Sequence, residues 1–156
     1  MKTVVGVFFG GKSVEHEVSI ISALQAMENL DQSKYDVVPV YISKDNRFFT
    51  SELLTKIEEF KDLEEVKRLA NEVYLTSEEG KLVLNAKKGI FKKALAKIDV
   101  VFPVVHGLNV EDGTLEGLLE MYNIPYVGCG IASSAIGYDK VLTKDIVATT
   151  GIPQAD

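Results

Sequence analysis

The chain has 156 residues, of which 46% are apolar and 26% charged, and it carries a formal net charge of −6. This length and balance are typical of a globular protein with a buried core and exclude a disordered chain. The acidic charge argues against general nucleic-acid binding, because phosphate backbones attract basic surfaces.

Cysteine content and hydropathy predict a cytoplasmic protein. Cys129 is the single cysteine, so no disulfide can form within the chain and a reducing compartment is expected. No apolar run approaches the roughly 20 residues that span a bilayer. The N-terminal MKTVVGVFFGG lacks a cleavage site for a signal peptide and is interpreted as a first strand.

The N-terminal third predicts a strand, a helix and a second strand. Residues 3–9 form an apolar run that the pair Gly10-Gly11 closes, which favours a buried strand and a tight turn. Residues 35–42, YDVVPVYI, form the second strand, although Pro39 is unusual in a central strand. This order begins a parallel α/β unit. The intervening helix is expected to carry its apolar stripe at Val18, Ile21, Leu24, Met27 and Leu30.

The middle of the chain predicts charged helices and a hairpin. EVYLTSEEGKLVLN favours two strands joined at Glu79-Gly80. We expect this region to be an insertion at the edge of the sheet. The helices are inferred from the spacing of Leu53, Ile57, Phe60, Val66 and Leu69. A lysine cluster follows, interpreted as a solvated face or, alternatively, a contact for an anionic ligand: Lys87, Lys88, Lys92, Lys93 and Lys97.

The C-terminal part predicts one more buried strand and two helices. Residues 98–105, IDVVFPVV, are nearly all apolar, as in a strand covered on both faces. A helix should follow, capped by Asp112 or Thr114, and then a short strand at 125–127. A last helix covers 139–149, and the chain stops soon after it, which favours a piece of a longer protein. The helix that begins near Asp112 or Thr114 carries its apolar face at Leu115, Leu118, Leu119 and Tyr122.

The stretch GVFFGGKS, residues 6–13, matches the phosphate-loop pattern G-x-x-x-x-G-K-[ST]. A loop there would expose Phe8 and Phe9 around a charged ligand. The magnesium-binding Asp expected at the end of a second strand is also missing, because IDVVFPVV runs into His106. We therefore predict a strand and a turn, with no phosphate contact from Lys12.

Polar residues follow two of the predicted parallel strands. Glu15 comes after the first, and His106, Glu111 and Asp112 come after the later one. Ligands of open α/β sheets bind at the carboxyl ends of the strands. A carboxylate there could hold a substrate ammonium, and an imidazole could orient or protonate a carboxylate. Alternatively, Glu15 offsets the helix dipole and His106 caps a strand.

Three segments together resemble the N-terminal part of D-alanine–D-alanine ligases, including relatives that make D-alanyl-D-serine or D-alanyl-D-lactate. They are GGKSVEHEVSIISA, VVFPVVHGLNVEDGTLEGLLEMYNIPYVGCG and ASSAIGYDKVLTKDIVATTGIP, in that order. The resemblance is weak over 51–97. It implies a Rossmann-like parallel sheet flanked by helices, the pre-ATP-grasp domain, at 1–128. The helical start of an ATP-grasp region then follows at 129–156.

The resemblance also implies an activity and its site. ATP would phosphorylate the carboxylate of one D-alanine, and a second D-alanine would attack the acyl phosphate, in peptidoglycan precursor synthesis. Glu15 would hold the first ammonium, Val18 would pack nearby, His106 would lie near the reacting carboxyl, and Lys140 would reach the ATP phosphates. A homodimer is implied. The magnesium ligands are expected beyond Asp156, so the chain alone is expected to be inactive.

Two positions depart from the family, and two alternatives stay open. Val110 stands where the family usually has Gly, which predicts strain if the position needs positive φ. Tyr138 stands where Met is common. The alternatives to a ligase are a non-catalytic α/β module that keeps the first-substrate pocket, and an unrelated phosphate-loop NTPase.

Overall fold

The computed structural model describes residues 2–88 and 93–155. These form a mixed sheet in the order β6-β5-β4-β3-β2-β1-β7, with helices packed against it. The predicted α/β class is confirmed. The strands are β1 Thr3–Gly10, β2 Tyr35–Ile42, β3 Phe48–Thr50, β4 Asn71–Glu78, β5 Lys81–Ala86, β6 Ala94–Ile98 and β7 Val100–Val105. The α-helices are α1 His16–Asn29, α2 Leu63–Leu69, α3 Thr114–Met121, α4 Ile131–Tyr138 and α5 Lys140–Ala148.

Strands β2, β1 and β7 form the parallel part of the sheet. The two N-terminal strands and the helix between them lie where the sequence predicts them. Pro39 is tolerated because β3 reaches only Tyr41 and Ile42 of β2. The Pro39 carbonyl points to the side where β3 has ended and accepts a hydrogen bond from the Thr50 hydroxyl at 2.8 Å. The missing N–H therefore breaks no ladder bond.

Strands β3 to β6 form the antiparallel part. The predicted hairpin is confirmed, and its turn residues Glu79 (φ 52°) and Gly80 (φ 75°) are both left-handed, as tight hairpin turns require. These strands extend the sheet at its edge, as predicted. Their buried side chains share one core cluster with those of the parallel strands: Leu75, Leu82 and Leu84 with Phe8, Val40 and Val101.

The prediction of one strand over 98–105 is wrong, because Ile98 ends β6 and Val100 begins β7. Asp99 separates the two strands by forming two hydrogen bonds with Val4 of β1. Its carboxylate accepts from the Val4 N–H at 2.8 Å, and its own N–H donates to the Val4 carbonyl at 2.9 Å. Because apolar residues flank Asp99 on both sides, the sequence pattern does not indicate that one strand ends and another begins here.

The predicted buried stripe of α1 is also partly wrong. Val18 and Ile21 are each 51% exposed, and a different set of residues lies against the strands. The Ser19 hydroxyl explains how α1 is turned about its own axis. It donates to the Val104 carbonyl at 2.6 Å and accepts from the Gly10 N–H at 2.8 Å, so the Ser19 side of the helix faces the sheet. The buried residues of α1 are His16, Ser19, Ile20, Ala23 and Met27.

The remaining predictions differ mainly in detail. The charged helices of the middle region are 3-10 helices at Glu52–Thr55 and Ile57–Lys61, followed by α2. The predicted strand at 125–127 is one bridge between Val101 and Tyr126. The periodicity did not predict α4. No described residue of α4 or α5 is buried, and no helix in the described ranges is long and apolar enough to cross a bilayer.

Part of the lysine cluster forms ion pairs with glutamates on β4. Lys87 Nζ lies 2.6 Å from Glu72 Oε1, and Lys97 Nζ lies 2.7 Å from Glu78 Oε2. Lys92 lies outside the described residues. The paired members favour the solvated-face interpretation over an anion site.

Candidate active site at the carboxyl ends of the parallel strands

The stretch GVFFGGKS is a strand that ends in a double-glycine turn. Phe8 and Phe9 are fully buried within β1, and Lys12 is exposed after the turn. Gly10 (φ 94°) and Gly11 (φ 92°) are both left-handed, and a side chain at Gly10 would collide with the Ile42 carbonyl oxygen. The backbone therefore does not form the eight-residue curl of a phosphate loop.

A cleft of about 550 Å³ lies beside this turn, where the loops after β1, β2 and β7 meet. The loops after β1 and β7 approach so closely that a Cβ atom at Gly107 would lie 3.0 Å from Glu15 Oε2. Glu15 and the His106-Gly107 pair are thus brought together, as expected for neighbouring parallel strands. The cleft is lined by Lys12, Ser13, Val14, Glu15, Lys44, Gly107, Leu108 and Tyr138.

His106 contacts α1 instead of lining the cleft. Its Nε2 lies 3.2 Å from the Ser22 hydroxyl. Glu15, Val18 and Ser22 follow each other at helical spacing, which places them along one side of the start of α1. The half-exposed Val18 and His106 therefore lie near the same side of α1 as Glu15.

The two acids after β7 hold their own loop together. The Glu111 carboxylate accepts from the Gly107 N–H at 2.8 Å. The Asp112 carboxylate accepts from the N–H groups of Asn109 at 3.0 Å and Thr114 at 3.1 Å. Asp112, not Thr114, thus supplies the side-chain acceptor at the start of α3. Both carboxylates are engaged in positioning backbone.

Val110 is not strained. The left-handed positions in its loop are Gly107 (φ 86°), Asn109 (φ 69°) and Gly113 (φ 92°), residue types that tolerate this conformation, and Val110 is not among them. Val110 is buried, with 3% of its surface exposed, and its Cγ1 would lie 2.6 Å from a Cβ atom at Gly11. The condition for strain, a positive φ at Val110, is therefore not met, and the valine fills the space that Gly11 leaves.

Lys140 lies apart from the residues that line the cleft. It is the exposed first residue of α5, whereas Tyr138, two residues earlier, lines the cleft. Within the described ranges, no group of three or more His, Cys, Asp or Glu side chains is placed to hold a metal ion. A larger cleft of about 770 Å³ lies at the opposite end of β2, around Tyr35 and Asp36, and contains none of the predicted site residues.

Sequence reasoning missed three residues at this edge of the sheet. Lys44 lines the cleft after β2 and binds Glu17, with Nζ 2.7 Å from Oε1. Its position just after the carboxyl end of a parallel strand was the available signal. His16 and Tyr41 are fully or almost fully buried beneath the turn. Their contact could not be predicted from the sequence, because it depends on how α1 is turned about its own axis.

The family model described as the N-terminus of D-ala D-ala ligase matches residues 4–129. The chain belongs to this ligase family. It is 44% identical to a D-alanine–D-alanine ligase of Thermosipho melanesiensis over 97% of its own length and 41% of that relative. It is 43% identical to the ligase of Geobacillus kaustophilus over 99% of its length and 41% of the relative.

Solved ligase structures share the fold. The D-alanine–D-alanine ligase of Coxiella burnetii has a TM-score of 0.81 at 33% identity, over 99% of this chain and 43% of that one. The VanG D-Ala:D-Ser ligase of Enterococcus faecalis has a TM-score of 0.79 at 31% identity, over 100% and 44%. The chain thus spans about two fifths of the length of the curated ligases it matches.

Proposed function

We propose that this chain is the N-terminal, first-substrate-binding part of an ATP-dependent D-alanine–D-alanine ligase. The observation that carries the proposal is Glu15, a carboxylate in a cleft between two strand-end loops, within a chain of this family. A D-Ala:D-Ser ligase is also similar to it. The proposal therefore concerns the first D-alanine, because D-alanine stands first in the names of both kinds of ligase.

The electrostatics of Glu15 suit a ligand ammonium. Within residues 2–88 and 93–155, no lysine or arginine forms an ion pair with Glu15. Lys44, which lines the cleft after β2, is instead paired with Glu17. A substrate ammonium would form a charge-assisted hydrogen bond with the Glu15 carboxylate, and the apolar Val18 would pack beside the substrate.

The proposed reaction proceeds in two balanced steps. The carboxylate of the first D-alanine takes the terminal phosphoryl group of ATP, giving an acyl phosphate and ADP. The amine of the second D-alanine then attacks the acyl carbon, loses a proton and expels phosphate. Positioning and charge neutralisation supply most of the catalysis in such steps. We assign His106 to the neighbourhood of the reacting carboxyl and Lys140 to the ATP phosphates.

The remaining parts of the proposal concern the whole protein. Bound magnesium would neutralise phosphate charge, and we place its ligands outside the described residues, which offer no metal cluster. We propose a first domain at 1–128 and the start of an ATP-grasp region at 129–156. The end of the family match at 129 and the exposure of α4 and α5 support this division. A cytoplasmic homodimer serving peptidoglycan synthesis completes the proposal.

Glu15→Gln tests the proposed site directly. We expect D-alanine binding to the chain, followed by NMR titration, to weaken by about tenfold or more, because a charge-assisted hydrogen bond is lost. Glu28→Gln, on the far end of the same helix, is the matched control and should bind as the wild type does. Equal affinity in the two variants would remove Glu15 from the site.

The same chain should not turn over. With D-alanine and ATP together, we expect no phosphate release above the protein-free rate, because the chain spans about two fifths of the relatives' length. Most of the ATP contacts and the magnesium ligands are assigned to the rest of that length. Sustained, D-alanine-dependent phosphate release from the purified chain would contradict this assignment.

Lys12→Ala should leave ATP use unchanged in an active ligase that contains this sequence.

A further inference from the structure

The first turn of α1 is clamped beneath the proposed ammonium site by a buried histidine. His16 is fully buried. Its Nδ1 lies 2.7 Å from the Gly11 carbonyl oxygen, and its Nε2 lies 3.0 Å from the Tyr41 hydroxyl. Because a carbonyl can only accept, Nδ1 must carry the proton. In the neutral ring Nε2 then accepts from Tyr41, so the contacts select one tautomer.

This clamp controls the backbone that carries Glu15. The Glu15 N–H donates to the Ser13 hydroxyl at 3.1 Å, and the Glu15 carbonyl accepts from the Ser19 N–H at 3.0 Å. The Ser13 N–H in turn donates to the Gly11 carbonyl at 3.0 Å, the same oxygen that His16 binds. Consecutive hydrogen bonds thus link Gly11 to Ser19 through Ser13 and Glu15, and the buried His16 binds the Gly11 carbonyl at their start.

We propose that neutral His16, held by Tyr41, is the positioning residue that fixes the Glu15 carboxylate for an amino-acid ammonium, so that protonation of His16 weakens binding. The inference rests on the proposed function and deepens it. His16 does not line the cleft, so it acts through the Gly11 turn and not by touching the ligand.

The surroundings of His16 favour the neutral ring. Burial lowers the pKa of His16, and the positive charge of Lys44 lowers it further, while the Gly11 hydrogen bond and the Glu17 charge oppose both. Tyr41 on β2, Lys44 after β2 and Glu17 on α1 are the titratable groups facing the ring. A protonated ring would have donors at both nitrogens, so Tyr41 could no longer donate to it. The Tyr41 hydroxyl would instead have to accept from Nε2, which leaves its own proton without an acceptor among the described contacts. The pairing is therefore weakened on the acid side of the ordinary histidine pKa.

The decisive variant is Tyr41→Phe. It keeps the ring that packs against Phe9, Phe49 and Phe60 and removes only the hydroxyl. That hydroxyl stabilises the neutral imidazole, so its loss raises the pKa of His16. Tyr35→Phe, at the other end of the same strand, is the matched control. D-alanine binding to each full chain would be measured by NMR between pH 8 and 5.5, where alanine remains a zwitterion.

The expected results separate positioning from simple stability. Wild-type affinity should fall toward pH 5.5 in step with the His16 Hε1 shift. Tyr41→Phe should bind about threefold to tenfold more weakly at pH 8, the loss of one hydrogen bond, and its acid decline should begin at higher pH. Tyr35→Phe should match the wild type.

Three outcomes would overturn the inference. One is a Tyr41→Phe profile that superimposes on the wild type at every pH. Another is a lower melting temperature with unchanged binding well below it, which would make the pair purely structural. Finally, D-alanine binding that ignores the titration of His16 would remove the coupling. A wild-type chain with no D-alanine binding at any pH would instead contradict the proposed function itself.

Discussion

Glu116 is a charged residue type in the core of this protein. Only 6% of its surface is exposed, and its Oε2 has no hydrogen-bond partner within the described ranges. Burial raises the pKa of its carboxyl, and the nearby charges of Asp112 and Glu111 raise it further. A raised folded-state pKa means that ionisation opposes folding, so this contribution is favourable at low pH and is lost as pH rises through the folded-state pKa.

Glu116→Gln should therefore flatten the pH dependence of stability. The amide keeps the size of the side chain but cannot ionise. We expect a higher melting temperature than the wild type at pH 8 and a smaller difference near pH 4.5, where the wild-type carboxyl is protonated. Glu120→Gln on the same helix, which is exposed, is the control. A gain that is equal at both pH values would show that ionisation of Glu116 is not the cause.

Gly10 and Gly80 offer a matched pair for separating backbone strain from collision. Both have positive φ, but a Cβ atom at Gly10 would strike the Ile42 carbonyl oxygen, whereas nothing lies within 4 Å of one at Gly80. Gly80→Ala should cost about 1 kcal/mol of unfolding free energy from φ strain. Gly10→Ala should cost at least about 2 kcal/mol more, because the backbone must shift. Equal losses in urea titrations would contradict the collision.

The sequence predicts single residues at the site unevenly. Glu15 and the Gly10-Gly11 turn follow from one strand and the rule that ligands bind at strand ends. His16, beside Glu15, could not be placed, because its environment depends on how α1 is rotated about its axis. The apolar letters of α1 favoured a face containing Val18 and Ile21, and the Ser19 hydrogen bonds to β1 and β7 selected another.

At the scale of elements, α5 depends on its N-cap residue, Asp139, more than on burial. The Asp139 carboxylate accepts from the N–H groups of Val141 and Leu142 at 2.9 and 3.1 Å, and no residue of the helix is buried. Asp139→Ala should lose about 0.5–2 kcal/mol of local helix stability. Faster amide exchange within α5 would report it, with Asp145→Ala as the mid-helix control. Unchanged exchange after Asp139→Ala would show that the cap is dispensable.

Element boundaries were predictable where a turn residue marks them. The hairpin turn at Glu79-Gly80 and the aspartates before α3 and α5, Asp112 and Asp139, carry such signals. The boundary between β6 and β7 carries no such signal, because Asp99 lies inside an otherwise apolar run. Its hydrogen bond with Val4 joins residues that are 95 positions apart in the sequence. Long-range hydrogen bonds of this kind leave no local pattern.

At the scale of the molecule, the antiparallel strands and the site-bearing strands share a core. Ile98 on β6 packs so closely on β1 that a Cβ atom at Gly6 would lie 2.6 Å from its Cδ1. Leu82 and Leu84 of β5 belong to the same buried cluster as Phe8. The middle region, 51–97, therefore supports the strands that deliver Glu15. Sequence patterns show each strand's apolar side but not which distant strand covers it.

This shared core predicts that damage far from the cleft unfolds the cleft as well. Leu84→Ala empties a fully buried position and should cost about 2–5 kcal/mol. Leu95→Ala, on the neighbouring strand and 36% exposed, should cost much less. If the chain unfolds as one unit, urea transitions followed by far-UV circular dichroism and by the His16 Hε1 signal should shift together in Leu84→Ala. A His16 transition that stays at the wild-type midpoint would instead mean that the parallel strands hold the site without the antiparallel half.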